Sequence, residues 1–138
     1  MIASIRGTVG AKNAHQLVVD VNGVGYLVHV TPNTSAKYSV GAEAQLFTAM
    51  VVREDAMTLF GFQTSLEQEL FDLLRSVTGV GPKSALAILG ALSTAEIASA
   101  VALDNDAAFK AVSGIGPKTA KLITVTLAGK LSHLVLVG

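Results

Sequence analysis

Cysteine is missing from this chain, and charge is scarce. The 138 residues carry no Cys, which excludes disulfides, a thiol nucleophile and any cysteine-based zinc site. Charged residues make up 14%, well below the roughly one-quarter usual for globular domains. Ten basic and ten acidic residues cancel, so no global field draws the chain toward a polyanion. Any binding of nucleic acid must therefore come from local clustering and backbone donors. His15, His29 and His133 are scattered and suggest no metal cluster; each reads as an ordinary strand or tail residue. No apolar run reaches the ~18 residues of a membrane span. The opening Met1–Arg6 lacks a basic region followed by an apolar one, so no signal peptide is read. The expectations are no metal, no cofactor, no membrane, and a reducing cytoplasmic setting. What is abundant is apolar character, at 51% of residues in a chain long enough for one large domain or two small ones. Either the core is unusually large or apolar surface is buried against partners, and an oligomer is expected.

The most informative stretch occurs twice. Val77-Thr78-Gly79-Val80-Gly81-Pro82-Lys83-Ser84-Ala85 returns as Val112-Ser113-Gly114-Ile115-Gly116-Pro117-Lys118-Thr119-Ala120, thirty-five residues later and with only conservative changes. A period of that size marks a repeated supersecondary unit. Each copy reads as the end of one helix, a tight turn and the start of another. Gly79 or Gly114 permits positive φ. Val80 or Ile115 plugs the space between the helices. Gly81 or Gly116 lets the backbone approach an outside group, and Pro82 or Pro117 suits a first helical turn. Unpaired N–H groups at a helix N-terminus attract phosphate through donors and dipole together. Lys83 and Lys118 add positive charge; Ser84 and Thr119 add hydroxyls. The sequence is not a P-loop, which needs Gly directly before Lys and a second Gly five residues earlier. Nor is it a Rossmann fingerprint, whose third Gly position holds Ser84 or Thr119. A plain helix–helix connector is the bland alternative, and it is weakened by the duplication with Lys in both copies.

Before the repeats, residues 1–63 read as β structure. Strands are predicted over Ile2–Val9, Ala14–Val21, Val24–Thr31, Glu43–Val52 and Ala56–Phe62. Leu17, Val19 and Val21 alternate with polar or outward positions, and Asn22-Gly23 is a hairpin signal. Pro32–Ser35 breaks the third strand. Five short strands fit a small barrel of the OB type, with a β-sandwich as the alternative. The fourth and fifth strands are joined by Arg53-Glu54-Asp55-Ala56, three charges between apolar strands. Taken alone, this tip reads as a solvated turn; a carboxylate pair serving catalysis or a metal is the other possibility.

The period changes after Phe62. Residues 64–138 read as helical, with helices predicted over 65–77, 82–91, 94–103, 105–112 and 117–131. Thr64 with Glu67 and Ser93 with Glu96 offer capping boxes, and Asp104 or Asp106 is expected to cap the fourth helix. The fold class is therefore β + α in two domains: an OB-type barrel, then an all-α tandem helix–hairpin–helix domain.

This order resembles the RuvA family of Holliday-junction branch-migration proteins over essentially the whole chain. The likeness is carried by Met1-Ile2 with Arg6-Gly7, Gly23-Val24-Gly25-Tyr26, Val51-Val52-Arg53-Glu54-Asp55-Ala56, Leu59-Phe60-Gly61-Phe62 and both hairpin motifs. The resemblance implies a tetramer, alone or paired with a second tetramer, that holds four-way junction DNA open without sequence preference. It implies a non-enzymatic subunit working with the RuvB motor, which hydrolyses ATP, and beside the RuvC resolvase. It makes Glu54 and Asp55 an acidic pin at the junction centre, reversing the bland reading of the tip. It makes Gly79, Gly81, Lys83, Ser84, Gly114, Gly116, Lys118 and Thr119 the DNA-binding residues. The family's phosphate-contacting Arg has no counterpart at Leu122, and Lys121 is the candidate in its place. The family's motor-binding third domain is not within the 138 residues, which end in the apolar stretch Leu134–Val137. The alternative outside the resemblance is a metal-dependent nuclease or glycosylase that grips DNA with the hairpins and uses Glu54 and Asp55.

Overall fold

Alternation in the first sixty residues sorts side chains into an inside and an outside. Leu17 and Val19 are fully buried, whereas Asp20 between them and the hairpin faces solvent. In the computed structural model, which describes residues 2–131, this pattern closes a barrel. The strands are β1 (Ser4–Asn13), β2 (Gln16–Val21), β3 (Val24–His29), β4 (Glu43–Val52) and β5 (Met57–Phe62). Their order around the barrel is β1-β2-β3-β5-β4, with β4 returning to β1. Every pairing is antiparallel except β3 with β5, where Val28 stands opposite Leu59 and His29 opposite Phe60. Closure leaves no open sheet edge and rules out the β-sandwich alternative. Ile5, Val9, Val28, Val30, Leu46 and Leu59 fill the interior with Leu17 and Val19.

The first strand is longer than its sequence suggested. Its register with β2 shifts between Val9 and Ala11, so Gly10 marks a bulge that the strand runs through rather than an end. The turn into β2 then falls at Ala14-His15, where the His15 N–H donates to Asn13 Oδ1 at 2.9 Å. The Asn22-Gly23 hairpin forms as expected, with φ of +52° and +92° and the Gly23 N–H donating to Asp20 Oδ1 at 2.8 Å.

Pro32 breaks the third strand but starts a short helix, α1 (Pro32–Lys37), that was not foreseen. Thr31 caps it: its Oγ1 accepts from the Thr34 N–H. The hydroxyls of Thr31 and Thr34 lie 3.1 Å apart, and Gln63 Nε2 donates to Thr34 Oγ1 at 3.2 Å. Cap chemistry at a strand end looks the same in sequence whether a turn or one helical turn follows.

One compact unit ends at Gln68 and a second begins at Glu69. The boundary read near Gln63-Thr64 lies a helical turn earlier. The reason is that Gln68 Nε2 donates to Thr48 O at 2.7 Å and to Ala3 O at 3.1 Å, tying the start of α2 (Ser65–Arg75) to the barrel. The second unit holds the rest of α2, then α3 (Pro82–Ala91), α4 (Thr94–Ala102), α5 (Ala107–Lys110) and α6 (Pro117–Leu127). Leu70, Phe71, Leu74, Ile88, Ile97, Phe109, Ile123 and Leu127 make its core. The axes of α3 and α4 meet at 100° across Leu92-Ser93.

Ser93 and Glu96 form the full capping box of α4. At α2 only half of the expected box is present: Thr64 Oγ1 accepts from the Glu67 N–H, but the Glu67 carboxylate takes the Thr64 hydroxyl. Asp106 occupies the cap position of α5 without a side-chain cap bond, because its backbone is already helical. Asp104 instead takes φ +52° beyond α4. The expected cap by either Asp is thus not made, and α5 is shortened to four residues. Among the described residues no single helix is long and apolar enough to cross a membrane. His133 and Leu134–Val137 lie outside the described residues. His15 sits in the turn before β2, and His29 ends β3 with its ring 5.5 Å from that of Phe60.

Candidate nucleic-acid interface

Each repeat builds the same turn from the same local forces. Two residues past the end of a helix stands a buried Val, Val77 after α2 and Val112 after α5, so the helices predicted over 65–77 and 105–112 stop short of it. Two residues on, the chain turns at Gly79 with φ +90° and at Gly114 with φ +89°. Such values favour glycine because an L side chain would collide with its own backbone. The turn is closed by the Val80 N–H donating to Val77 O at 3.0 Å, and the Ile115 N–H to Val112 O at 3.1 Å. Closure swings the next side chain inward: Val80 is 6% exposed and Ile115 7%. These are the predicted plugs.

Gly81 and Gly116 then cap α3 and α6, with φ/ψ of −87°/179° and −81°/171°. The carbonyl of each accepts the first helical bond, from the Ala85 and Ala120 amides at 2.9 Å. No side chain caps either helix, and neither first turn contains an acid. Pro82 and Pro117 have no N–H. Among the described residues, the amides of Gly81, Lys83 and Ser84, and of Gly116, Lys118 and Thr119, donate to no other backbone group. Each helix start thus gathers free donors at the positive end of its dipole. Lys83 and Lys118 extend from them into solvent, while Ser84 and Thr119 are half-buried.

Neither backbone strain nor crowding requires glycine at Gly81 or Gly116. Their φ values suit any residue, and a methyl group on either would meet nothing within 4 Å. A side chain there would stand over the start of the helix, beside the amides, where glycine leaves them open.

Lys121, the candidate for the missing Arg, lies two residues beyond Thr119 and pairs with Asp104 across 3.5 Å of exposed surface. That partner was not foreseen, and nothing in a spacing of seventeen residues signals it. An exposed pair contributes about 0–1 kcal/mol, so the tether is weak. Leu122 is half-buried in α6.

In the other unit, Arg53-Glu54-Asp55-Ala56 forms the β4–β5 tip. The Arg53 N–H donates to Ala56 O at 2.7 Å, and Val52 stands opposite Met57. All four tip residues are exposed. Among the described residues, neither carboxylate has a hydrogen-bond or ion-pair partner, and no three His, Asp or Glu side chains converge as metal ligands.

The family description "RuvA N terminal domain" matches residues 1–61, and "SAM-like Helix-hairpin-helix tandem" matches residues 71–128. The chain is similar to the Holliday junction branch migration complex subunit RuvA of Clavibacter michiganensis, at 56% identity over 131 residues, covering 95% of this chain and 61% of that relative. The subunit of the same name from Leifsonia xyli is 52% identical over 132 residues, covering 96% and 64%. That of Arthrobacter sp. is 47% identical over 131 residues, covering 95% and 61%. The chain spans about three-fifths of the length of these curated relatives.

Proposed function

The chain belongs to the RuvA family, and from that premise we propose that it binds four-way DNA junctions by their shape. In this reading it is a non-enzymatic, tetrameric subunit of a branch-migration complex. The observation that carries it is the pair of glycines, Gly81 and Gly116, which neither backbone strain nor internal crowding requires. They keep the free amides of two helix starts open to a phosphate backbone, with Lys83 and Lys118 adding charge. Such contacts hold the duplex arms without reading bases. The unpaired Glu54 and Asp55 form the pin: their charge repels crossing strands and keeps the junction open. The partners in this reading are further copies of the chain, the RuvB motor through a third domain of the family, and the RuvC resolvase, all in the cytoplasm.

The test follows from the glycines. Gly81→Ala with Gly116→Ala should change stability by no more than about 1 kcal/mol per site, since the freedom lost by the unfolded chain offsets the poorer helix cap that Ala makes. The same pair should weaken binding to a four-way junction. Undiminished junction binding would remove the hairpins from the interface. Lys83→Ala with Lys118→Ala should flatten the dependence of log affinity on log salt by about one unit per lost phosphate contact. Glu54→Gln with Asp55→Asn should leave or raise junction affinity, because like-charge repulsion is removed. A large loss there would mean that the pair binds a cation or a basic partner.

A further inference from the structure

Thr119 belongs to the second hairpin motif, but the residue it faces belongs to the first. A methyl group placed on Gly79 would lie 3.3 Å from Thr119 Oγ1 and 3.9 Å from Thr119 Cγ2. Gly79 is the positive-φ residue on which the first hairpin turns. The branched end of Thr119 therefore stands beside the elbow that aims the amides of Gly81, Lys83 and Ser84. Thr119 is half-buried although it lies in the first turn of α6. Its counterpart in the repeat, Ser84, has no such role: a methyl group on Gly114 would meet nothing within 4 Å. Two heavy atoms on Cβ also make Thr stiff about χ1, so holding it in place costs little entropy.

We propose that Thr119 is a positioning residue that braces the first hairpin from within the second, so that both amide clusters meet the nucleic-acid backbone as one preordered unit. This role rests on the reading of the hairpins as phosphate binders, but the brace itself is a property of the free protein. Ordering achieved in folding is not charged again at binding, and a braced turn opens less often.

The variants are Thr119→Ala, which removes the brace, Thr119→Val, which keeps its shape without the hydroxyl, and Ser84→Ala as the counterpart. Amide hydrogen exchange is measured on the free 138-residue chain, followed by affinity for an immobile four-way junction. The Val80 amide, bonded to Val77 O, reports opening of the first hairpin; the Ile115 amide, bonded to Val112 O, reports the second. Thr119→Ala should speed Val80 exchange by about fivefold or more and weaken junction binding by roughly threefold to tenfold. Thr119→Val, which keeps the stiff β-branch, should keep Val80 exchange within about twofold of the parent. Ser84→Ala should leave Ile115 exchange unchanged. If Thr119→Ala leaves Val80 exchange at the parent rate, there is no brace, whatever happens to DNA binding. If Thr119→Val loses as much affinity as Thr119→Ala while exchange stays put, the hydroxyl touches the ligand directly and the positioning role is overturned. A parent chain that ignores junctions would sink the phosphate-binding reading, with the exchange data still deciding the brace.

Discussion

The two hairpins are copies in backbone and unequal in surroundings. Their turning glycines differ by one degree in φ, and their cap residues by a few degrees. Yet the first is entered from the eleven-residue α2 and the second from the four-residue α5. Gly79 has Thr119 beside it, whereas Gly114 has open space. A duplicated motif repeats everything set by near neighbours: the positive φ, the short bond that closes the turn, the Pro in the first helical turn. It does not repeat what distant segments contribute, because the helices leading into the two copies differ.

The largest effect that would sharpen this contrast lies in the plugs. Ile115→Ala should destabilise the protein by about 3 kcal/mol and Val80→Ala by about 2, since each loses buried methylene groups and leaves a cavity. Denaturant midpoints measure both. A Val80 loss equal to or larger than that of Ile115 would show that the first copy, not the second, carries more of the core.

A smaller difference separates the turning glycines. Ala at φ near +90° costs about 1–2 kcal/mol at either site. Gly79→Ala should cost more than Gly114→Ala, because only its new methyl meets a neighbour. In a Thr119→Ala background the two costs should converge, and thermal melts of the double variants read that coupling directly. Persistence of the gap would place its cause elsewhere in the turn.

The smallest effect concerns α4, which joins the copies. Glu96 is held below its ordinary 4.5, first by the hydrogen bond from the Ser93 backbone N–H and then by the Ser93 side chain. A folded-state value below the unfolded one means that the carboxylate stabilises the fold above the unfolded value. That contribution fades as pH falls through the folded value. Thermal midpoints taken from neutral pH down through the carboxylate range should show this loss, and Glu96→Gln should remove that share of the pH dependence. An identical profile in the variant would exclude Glu96 as its source.

Both hairpins were legible in the sequence because Gly, Pro and a single buried aliphatic residue constrain φ, donor count and burial within nine residues. The second strand was legible through alternation, and the turn after it through the Asn-Gly pair, whose residues take positive φ at both positions. The first strand was read as ending at Val9, whereas it runs on to Asn13 through a bulge that no local pattern announced. Asp104 and Asp106 misled because a cap depends on backbone geometry that composition does not specify. The exposed tip was visible as three charges, but its reading turned on family resemblance rather than on spacing.

The sequence by itself determined the local geometry of the two hairpins, the alternation of the strands and the full capping box of α4. These rest on interactions between residues a few positions apart, where chain connectivity leaves little choice. Only the tertiary structure decided that β3 lies parallel to β5 and closes the barrel, that Gln68 ties the start of α2 to the barrel, and that Asp104 takes up Lys121. The same holds for Thr119, which stands against Gly79 rather than against its own turn. Those pairings join segments separated by 17 to 65 positions, and they follow from how whole elements pack to bury apolar surface, which no local pattern encodes.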